Sequence, residues 1–210
     1  TINAGSITYT LESLTRITSM GFFGLSAASI SIVGTVATTG DVANVNYTLK
    51  DSTDYSGSMF RWLFVPQSLE RKYINFNLNI PSGATVVITI TNTGGVAKVG
   101  SLTMGLYDNY GTMGLGAGRS NRSRSIKETS GTLTSLLRRT ASARVSYPIT
   151  LQAYQADPFW RLVEDMDGVA GVFAAPDDNP ELTVYGFITS AQTTANVNGL
   201  TRLKLEVESL

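Results

Sequence analysis

Residues 72–80 alternate without a break: Ile74, Phe76, Leu78 and Ile80 fall on one parity, Tyr73, Asn75, Asn77 and Asn79 on the other. A period of two sends successive side chains to opposite faces, so this stretch predicts a half-buried strand. A lone sheet cannot take Ile74, Phe76 and Leu78 out of water, so a second layer is required. Pro81-Ser82-Gly83 predicts a turn, and residues 84–92, rich in Val, Ile and Thr, predict the next strand. Asn92-Thr93-Gly94-Gly95 predicts another turn, with residues 96–107 returning. Upstream, residues 29–36 read as strand, Val45, Tyr47 and Leu49 alternate with Asn44, Asn46 and Thr48, and residues 60–65 form an apolar strand ending at Pro66. Short strands joined this way argue for an antiparallel β-sandwich. The first forty residues keep no steady period; Leu11, Leu14, Ile17 and Met20 recur at helical spacing and fit a short helix.

The pattern changes after residue 109. Residues 110–131 hold Gly111, Gly114, Gly116 and Gly118, then Arg119, Arg122 and Arg124, and read as an extended linker arm. Beyond it, residues 137–147 predict a strand with Pro148 after it. Asp157-Pro158 predicts a helix start, with Asp as N-cap and Pro at the first helical position. Phe159, Leu162, Val163 and Met166 make its apolar stripe, and Gly168 ends it in a left-handed cap. Residues 169–175 and 181–189 predict strands around a turn at residues 176–180. In the last strand Leu203, Leu205 and Val207 alternate with Arg202, Lys204, Glu206 and Glu208. The expected fold is therefore mainly β: a strap or arm over 1–40, an N-terminal antiparallel β-sandwich over 41–109, the arm over 110–131, and an α+β sub-domain over 132–210 with one helix packed on a sheet.

Composition narrows the chemistry. Apolar residues make up 42% of the chain and charged residues 15%, against roughly a quarter charged in ordinary domains. With 16 basic and 16 acidic residues the formal net charge is zero, so no global field draws in nucleic acid or anionic lipid. The chain has no Cys and no His, which removes thiolate chemistry, the commonest general base and most zinc sites. The N-terminus lacks the order of a signal peptide. Residues 17–40 are uncharged, but their many Ser, Thr and Gly suit buried strands better than a membrane helix. No enzyme activity, cofactor, metal, nucleic acid or membrane insertion is expected.

Several constellations remain. Gly114, Gly116 and Gly118 lack the longer spacing and flanking strand and helix of a dinucleotide cradle. Arg119, Arg122, Arg124, Lys127, Arg138, Arg139 and Arg144 form a basic segment opposed only by Glu128, without interleaved aromatics for base stacking. Asp157, Glu164, Asp165, Asp167, Asp177, Asp178 and Glu181 follow, opposed only by Arg161. A basic segment beside an acidic one suits head-to-tail contact between identical subunits; ordinary solvated charge explains it equally well. Arg119, Arg122, Arg124, Arg138, Arg139, Asp165 and Asp167 are the candidate interface residues. Asp165/Asp167 and Asp177/Asp178 are weak candidates for a hydrolytic carboxylate pair, and the second also for a calcium loop. Tyr73, Asn75 and Asn77 would offer a ring and amides to a sugar, although a plain solvent-facing strand is the simpler reading.

Across the second half, certain features come in a fixed order. Gly100-Ser101-Leu102-Thr103-Met104-Gly105 ends a strand, then come Gly111-Thr112-Met113-Gly114 and Arg122-Ser123-Arg124-Ser125-Ile126-Lys127-Glu128. Arg138-Arg139, Ser142 and Arg144 follow, then the helix near Asp157, Val184-Tyr185-Gly186-Phe187, and the strand from Leu203 to Leu210. In this order residues 60–210 resemble a family of tailed-bacteriophage proteins encoded among the tail-tip genes. Similar proteins usually carry Tyr or Asp near position 121, Phe-Gly near 130 and often Trp at 173. Here Asn121, Ser130-Gly131 and Phe173 stand there, and the N-terminal region is shorter. The resemblance implies a structural virion protein of the tail tip or baseplate, made in the host cytoplasm and assembled in rings or trimers with other tail proteins. It implies support of host attachment, with a carbohydrate-binding module for the host glycan as the alternative, and it carries over no catalytic residue.

Overall fold

Val86, Ile88 and Ile90 have no solvent exposure, and the strand that carries them, β6 (Thr85–Lys98), is paired along both edges. β1 (Ile2–Glu12) lies on one side, β3 (Ser29–Val36) on the other and β4 (Gly40–Thr48) beyond β3, all antiparallel. A second sheet has the order β5 (Lys72–Asn75), β2 (Ser19–Phe23), β7 (Ser101–Gly105). Met20 and Phe22 of β2 share one buried cluster with Ile30, Ile32, Ile88 and Ile90 of the first sheet. The result is a sandwich-like, mainly β arrangement, as the alternation requires. This computed structural model describes residues 2–38, 40–49, 71–122, 126–130, 133–137, 142–175, 180–197 and 199–210. They fall into two units, Thr1–Asp108 and Asn109–Leu210. The strand expected over 60–65 lies outside the described residues.

Three local expectations for the first unit are corrected. The helical spacing of Leu11, Leu14, Ile17 and Met20 makes no helix. Leu11 is in β1, Met20 in β2 and Leu14 stands 89% exposed. The backbone there bonds across the chain instead: the N–H of Ser13 to the carbonyl of Ala84 at 2.9 Å, that of Ile17 to Ile80 at 2.9 Å. Nor do residues 72–80 form one continuous strand. β5 stops at Asn75, whose side-chain Oδ1 accepts the N–H of Asn77 at 2.7 Å. This local closure competes with the ladder and shifts the inward parity: Tyr73 packs on the core before it, Leu78 and Ile80 after it. Finally, Asn92-Thr93-Gly94-Gly95 does not reverse the chain. Ala4 faces Val96 and Ser6 faces Thr91, so these residues of β6 stand opposite Gly5 alone. Gly5 takes φ +82°, and Asn92 Nδ2 closes the bulge by donating to the Val96 carbonyl at 3.1 Å. Residues 1–40, expected as a separate arm, supply β1, β2 and β3 of these sheets.

The second unit centres on β12 (Ser142–Gln152) and β15 (Leu200–Ser209). Beyond β15 lie β14 (Val184–Val197) and β13 (Gly171–Phe173). The other edge of β12 pairs with β8 (Thr112–Met113) and β9 (Gly118–Arg122), so part of the expected linker is built into the sheet. β10 (Ile126–Ser130) and β11 (Leu133–Leu137) form a separate antiparallel pair. Pro148 does not end its strand. Its carbonyl accepts the N–H of Gly114 at 2.7 Å, so its missing N–H falls on the β8/β9 side, and the pairing with Lys204 of β15 stays intact.

The helix α1 (Ala153–Asp165) begins a turn earlier than expected: Gln152, not Asp157, is its N-cap, and Pro158 lies inside it. The Gln152 N–H donates to Gln155 Oε1 at 3.2 Å. The Ala153 N–H donates to Gly199 in the β14–β15 turn at 3.0 Å, so the start is fixed by tertiary contact. Phe159 is buried, Val163 packs on the same core, and Gly168 beyond the helix takes φ +70°, both as the sequence implies. Gly186 of β14 is a close-approach site: a Cβ there would lie 2.0 Å from the Glu208 carbonyl oxygen. Gly118 has open space around the same position. Gly186→Ala is expected to lower unfolding free energy by about 1–3 kcal/mol. Gly118→Ala should stay within about 0.5 kcal/mol of wild type, both read from denaturant midpoints.

Candidate interaction surfaces of the second unit

Register turns the sequence of β15 into two different surfaces. Leu203, Leu205 and Val207 face inward with Val145, Tyr147 and Leu151 of β12, and Phe159 and Val163 of α1 pack against them. The opposite parity faces outward: Arg202, Lys204, Glu206 and Glu208 of β15 beside Arg144 and Ser146 of β12, with Ser120 and Arg122 of β9 next. Four positive and two negative side chains, Arg122, Arg144, Arg202 and Lys204 against Glu206 and Glu208, leave this face at a net +2.

An open groove of about 400 Å³ runs over it, lined among others by Gly118, Ser120, Arg144, Ser146, Lys204 and Glu206. Glu206 ties its centre: Oε1 accepts from Lys204 Nζ at 2.7 Å, and Oε2 lies 3.2 Å from Arg144 Nη2. The hydrogen bond from Lys204, helped by the charges of Lys204 and Arg144, holds the Glu206 carboxyl below its ordinary range against a smaller desolvation effect. The carboxylate occupies one donor on each cation and leaves the others for a partner.

The exposed stripe of α1 has the opposite sign. Tyr154, Asp157, Arg161, Glu164 and Asp165 recur on its solvent side, and Asp167 follows the last turn. Asp157, Glu164, Asp165 and Asp167 against Arg161 give a net −3.

The expected interface residues distribute unevenly. Arg122 lies on the outward face. Arg119 is on the opposite parity but still lines the groove, while its Nη1 donates to the Glu181 carbonyl at 3.0 Å. Asp165 ends α1 and Asp167 stands just beyond it, both exposed. Arg124, Arg138 and Arg139, and the pair Asp177 and Asp178, lie outside the described residues. Arg144, Lys204 and Glu206 form the centre of the groove. No local pattern singles out Lys204 and Glu206, since two charges of opposite sign on the outward parity of a strand read as ordinary solvent charge.

In the row proposed for sugar contact, Tyr73 and Asn75 are half-buried. Tyr73 stacks on Tyr47, centroids 4.1 Å apart, and packs on the first unit's core. Asn75 is occupied by Tyr73 Oη at 3.3 Å and by the Asn77 N–H; Asn79 accepts from Arg16 at 2.8 Å. Asn77 alone of the proposed trio is exposed.

The buried phenol of the second unit, Tyr147, has a structural place. Its hydroxyl donates to the Leu182 carbonyl, with Phe173 O 3.3 Å away, joining β12 to the 3-10 turn Pro180–Leu182 and to β13. Burial pushes its pKa far above the ordinary value, against a smaller opposing effect of Arg119. Among the described residues no group of three or more metal-ligating side chains converges, and no helix is long and apolar enough to cross a membrane. No family model, curated protein or solved structure matches the chain.

Two outcomes follow from these placements. Tyr147→Phe should cost about 1–3 kcal/mol by leaving the Leu182 carbonyl without its donor. The folded-state pKa of Tyr147 is raised, so its contribution is complete below about pH 10 and is lost as pH climbs beyond that. Wild-type stability should therefore fall more steeply above pH 10 than that of Tyr147→Phe, measured by urea unfolding at a series of pH values. Tyr73→Ala should cost about 1–3 kcal/mol, whereas Asn77→Ala should stay within about 0.5 kcal/mol. Comparable small losses for both would return Tyr73 to the surface.

Proposed function

We propose that this chain is a structural protein of a tailed-phage tail tip or baseplate, assembling with itself and with other tail proteins. The observation that carries the reading is the separation of charge in the second unit: a net +2 on the outward sheet face and a net −3 on the helix stripe behind it. On a chain of zero net charge, such separation does nothing for solubility but gives copies a preferred orientation. The ordered features from residue 60 to Leu210 supply the phage assignment, and the mainly β architecture fits an assembled shell component. The role is mechanical: sheet faces and edges lock subunits together, apolar area and backbone pairing provide affinity, and charge sets register.

The carbohydrate alternative has less to stand on, since the half-buried Tyr73 ring it needs already stacks on Tyr47. Immunogold electron microscopy of intact particles, with antibody to this protein, tests the main reading. Gold should sit at the distal tail. Gold elsewhere, or a particle without the protein, would remove the tail-tip assignment and return the chain to independent lectin or enzyme readings.

A further inference from the structure

We propose that α1 of one copy docks on the outward face of the six-stranded sheet of the next copy, laying its acidic stripe along the Arg144–Lys204 groove. The inference rests on the self-assembly reading above and specifies which surfaces meet. Within one copy, α1 covers the inward face of this sheet, so the groove lies on the far side from its own helix. No internal motion of the unit brings the two together; the contact is between copies. Different patches on each partner make it heterologous, and such a contact repeats into a ring or a filament.

The dimensions agree. A helix is about 10 Å across, and the groove spans β9, β12 and β15, neighbouring strands about 4.8 Å apart. Arg144 and Lys204 keep side-chain exposures of 51% and 47%, and Glu206 holds their heads in place. Tyr154, 72% exposed on the helix stripe, offers a ring to the aliphatic stems of those cations.

The placement of charge on α1 is the independent observation. Its first turn has no acidic residue and its last turn no basic one, while Glu164, Asp165 and Asp167 crowd the C-terminal end. Each carboxylate there opposes the helix dipole, at about 0.3–1 kcal/mol apiece for surface positions. None makes an ion pair within the described residues. A cationic partner relieves both penalties, and the opposite face of the same sheet carries one.

The test uses the full chain and two charge-reversed variants in analytical ultracentrifugation at low ionic strength. The helix variant is Glu164→Lys with Asp165→Lys; the sheet variant is Arg144→Glu with Lys204→Glu. Wild type should self-associate, and weaken as salt shortens the screening length. Each variant alone should associate at least tenfold more weakly, and an equimolar mixture should recover assembly, because each reversed surface then meets its complement. Should the sheet variant fail to fold, Arg144→Gln with Lys204→Gln replaces it, with the same tenfold weakening expected. Undiminished assembly of either variant alone overturns the docking geometry and leaves the tail-tip reading standing. A wild type that stays monomeric overturns the docking together with self-assembly, while particle labelling still reports the location separately.

Discussion

The pairing of β12 with β15 decides both what the second unit buries and what it displays. Val145 faces Val207, Tyr147 faces Leu205 and Ile149 faces Leu203; the intervening pairs are Arg144 with Glu208, Ser146 with Glu206 and Pro148 with Lys204. A slip of one residue would carry Lys204 and Glu206 into the core and push Leu205 into water. Several kilocalories of apolar burial on one face therefore fix the position of every charge on the other. The groove is a by-product of the core: the same leucines that hold α1 aim Arg144 and Lys204 away from it.

This coupling explains what could be read in advance. β15 was legible because one face is buried and the other wet along its whole length, with neither Gly nor Pro in its alternating core. β3 was legible from its alternation, with Ile30, Ile32 and Gly34 buried between half-buried neighbours. The 72–80 segment carried an even cleaner alternation and misled, because the Asn75 side chain offers the backbone a closure that a hydrophobic pattern does not register. Residues 92–95 have the composition of a turn, and only the partner strand reveals that they bulge past Gly5 while Asn92 supplies the missing bond. The helix start was misplaced because Asp157-Pro158 satisfies every local rule. The actual start depends on Gly199, distant in sequence, accepting the Ala153 N–H. Pro158 is tolerated beside the solvent stripe, where water can serve the Tyr154 carbonyl that a proline leaves without its donor.

The surface was less legible than the fold. Runs of like charge along the sequence suggested a basic arm and an acidic sub-domain, but strand alternation divides a run between two faces. Arg119 and Arg122 show this: the first turns to the 3-10 turn through Glu181, the second to the outward face. The tie of Arg144 to Glu206 joins residues on different strands, so no local window contains it. Tyr147 likewise reads as one more aromatic in a strand until its hydroxyl is seen to donate to the Leu182 carbonyl, close to that of Phe173.

The two units differ in what their cores leave over. In the first, two sheets face each other and Met20, Phe22, Ile30, Ile32 and Ile88 fill the space between them. Inward faces are then consumed in the shared core. In the second, one helix of 13 residues, about 20 Å long, packs on β12 and β15 at the centre of a sheet of six strands. Sheet-on-sheet packing hides its inner surface by symmetry; a helix on a sheet makes a two-layer stack with unlike outer surfaces, one a helix stripe and one a strand face. Unlike surfaces can carry opposite charge without conflict, because the buried layer separates them by roughly the thickness of a sheet and helix pair, about 10 Å between layers. At physiological salt that distance already exceeds the screening length of about 8 Å for exposed charges. Each surface therefore keeps its own sign toward solvent, and an asymmetric two-layer unit is the simplest architecture on which such a polarity can be built.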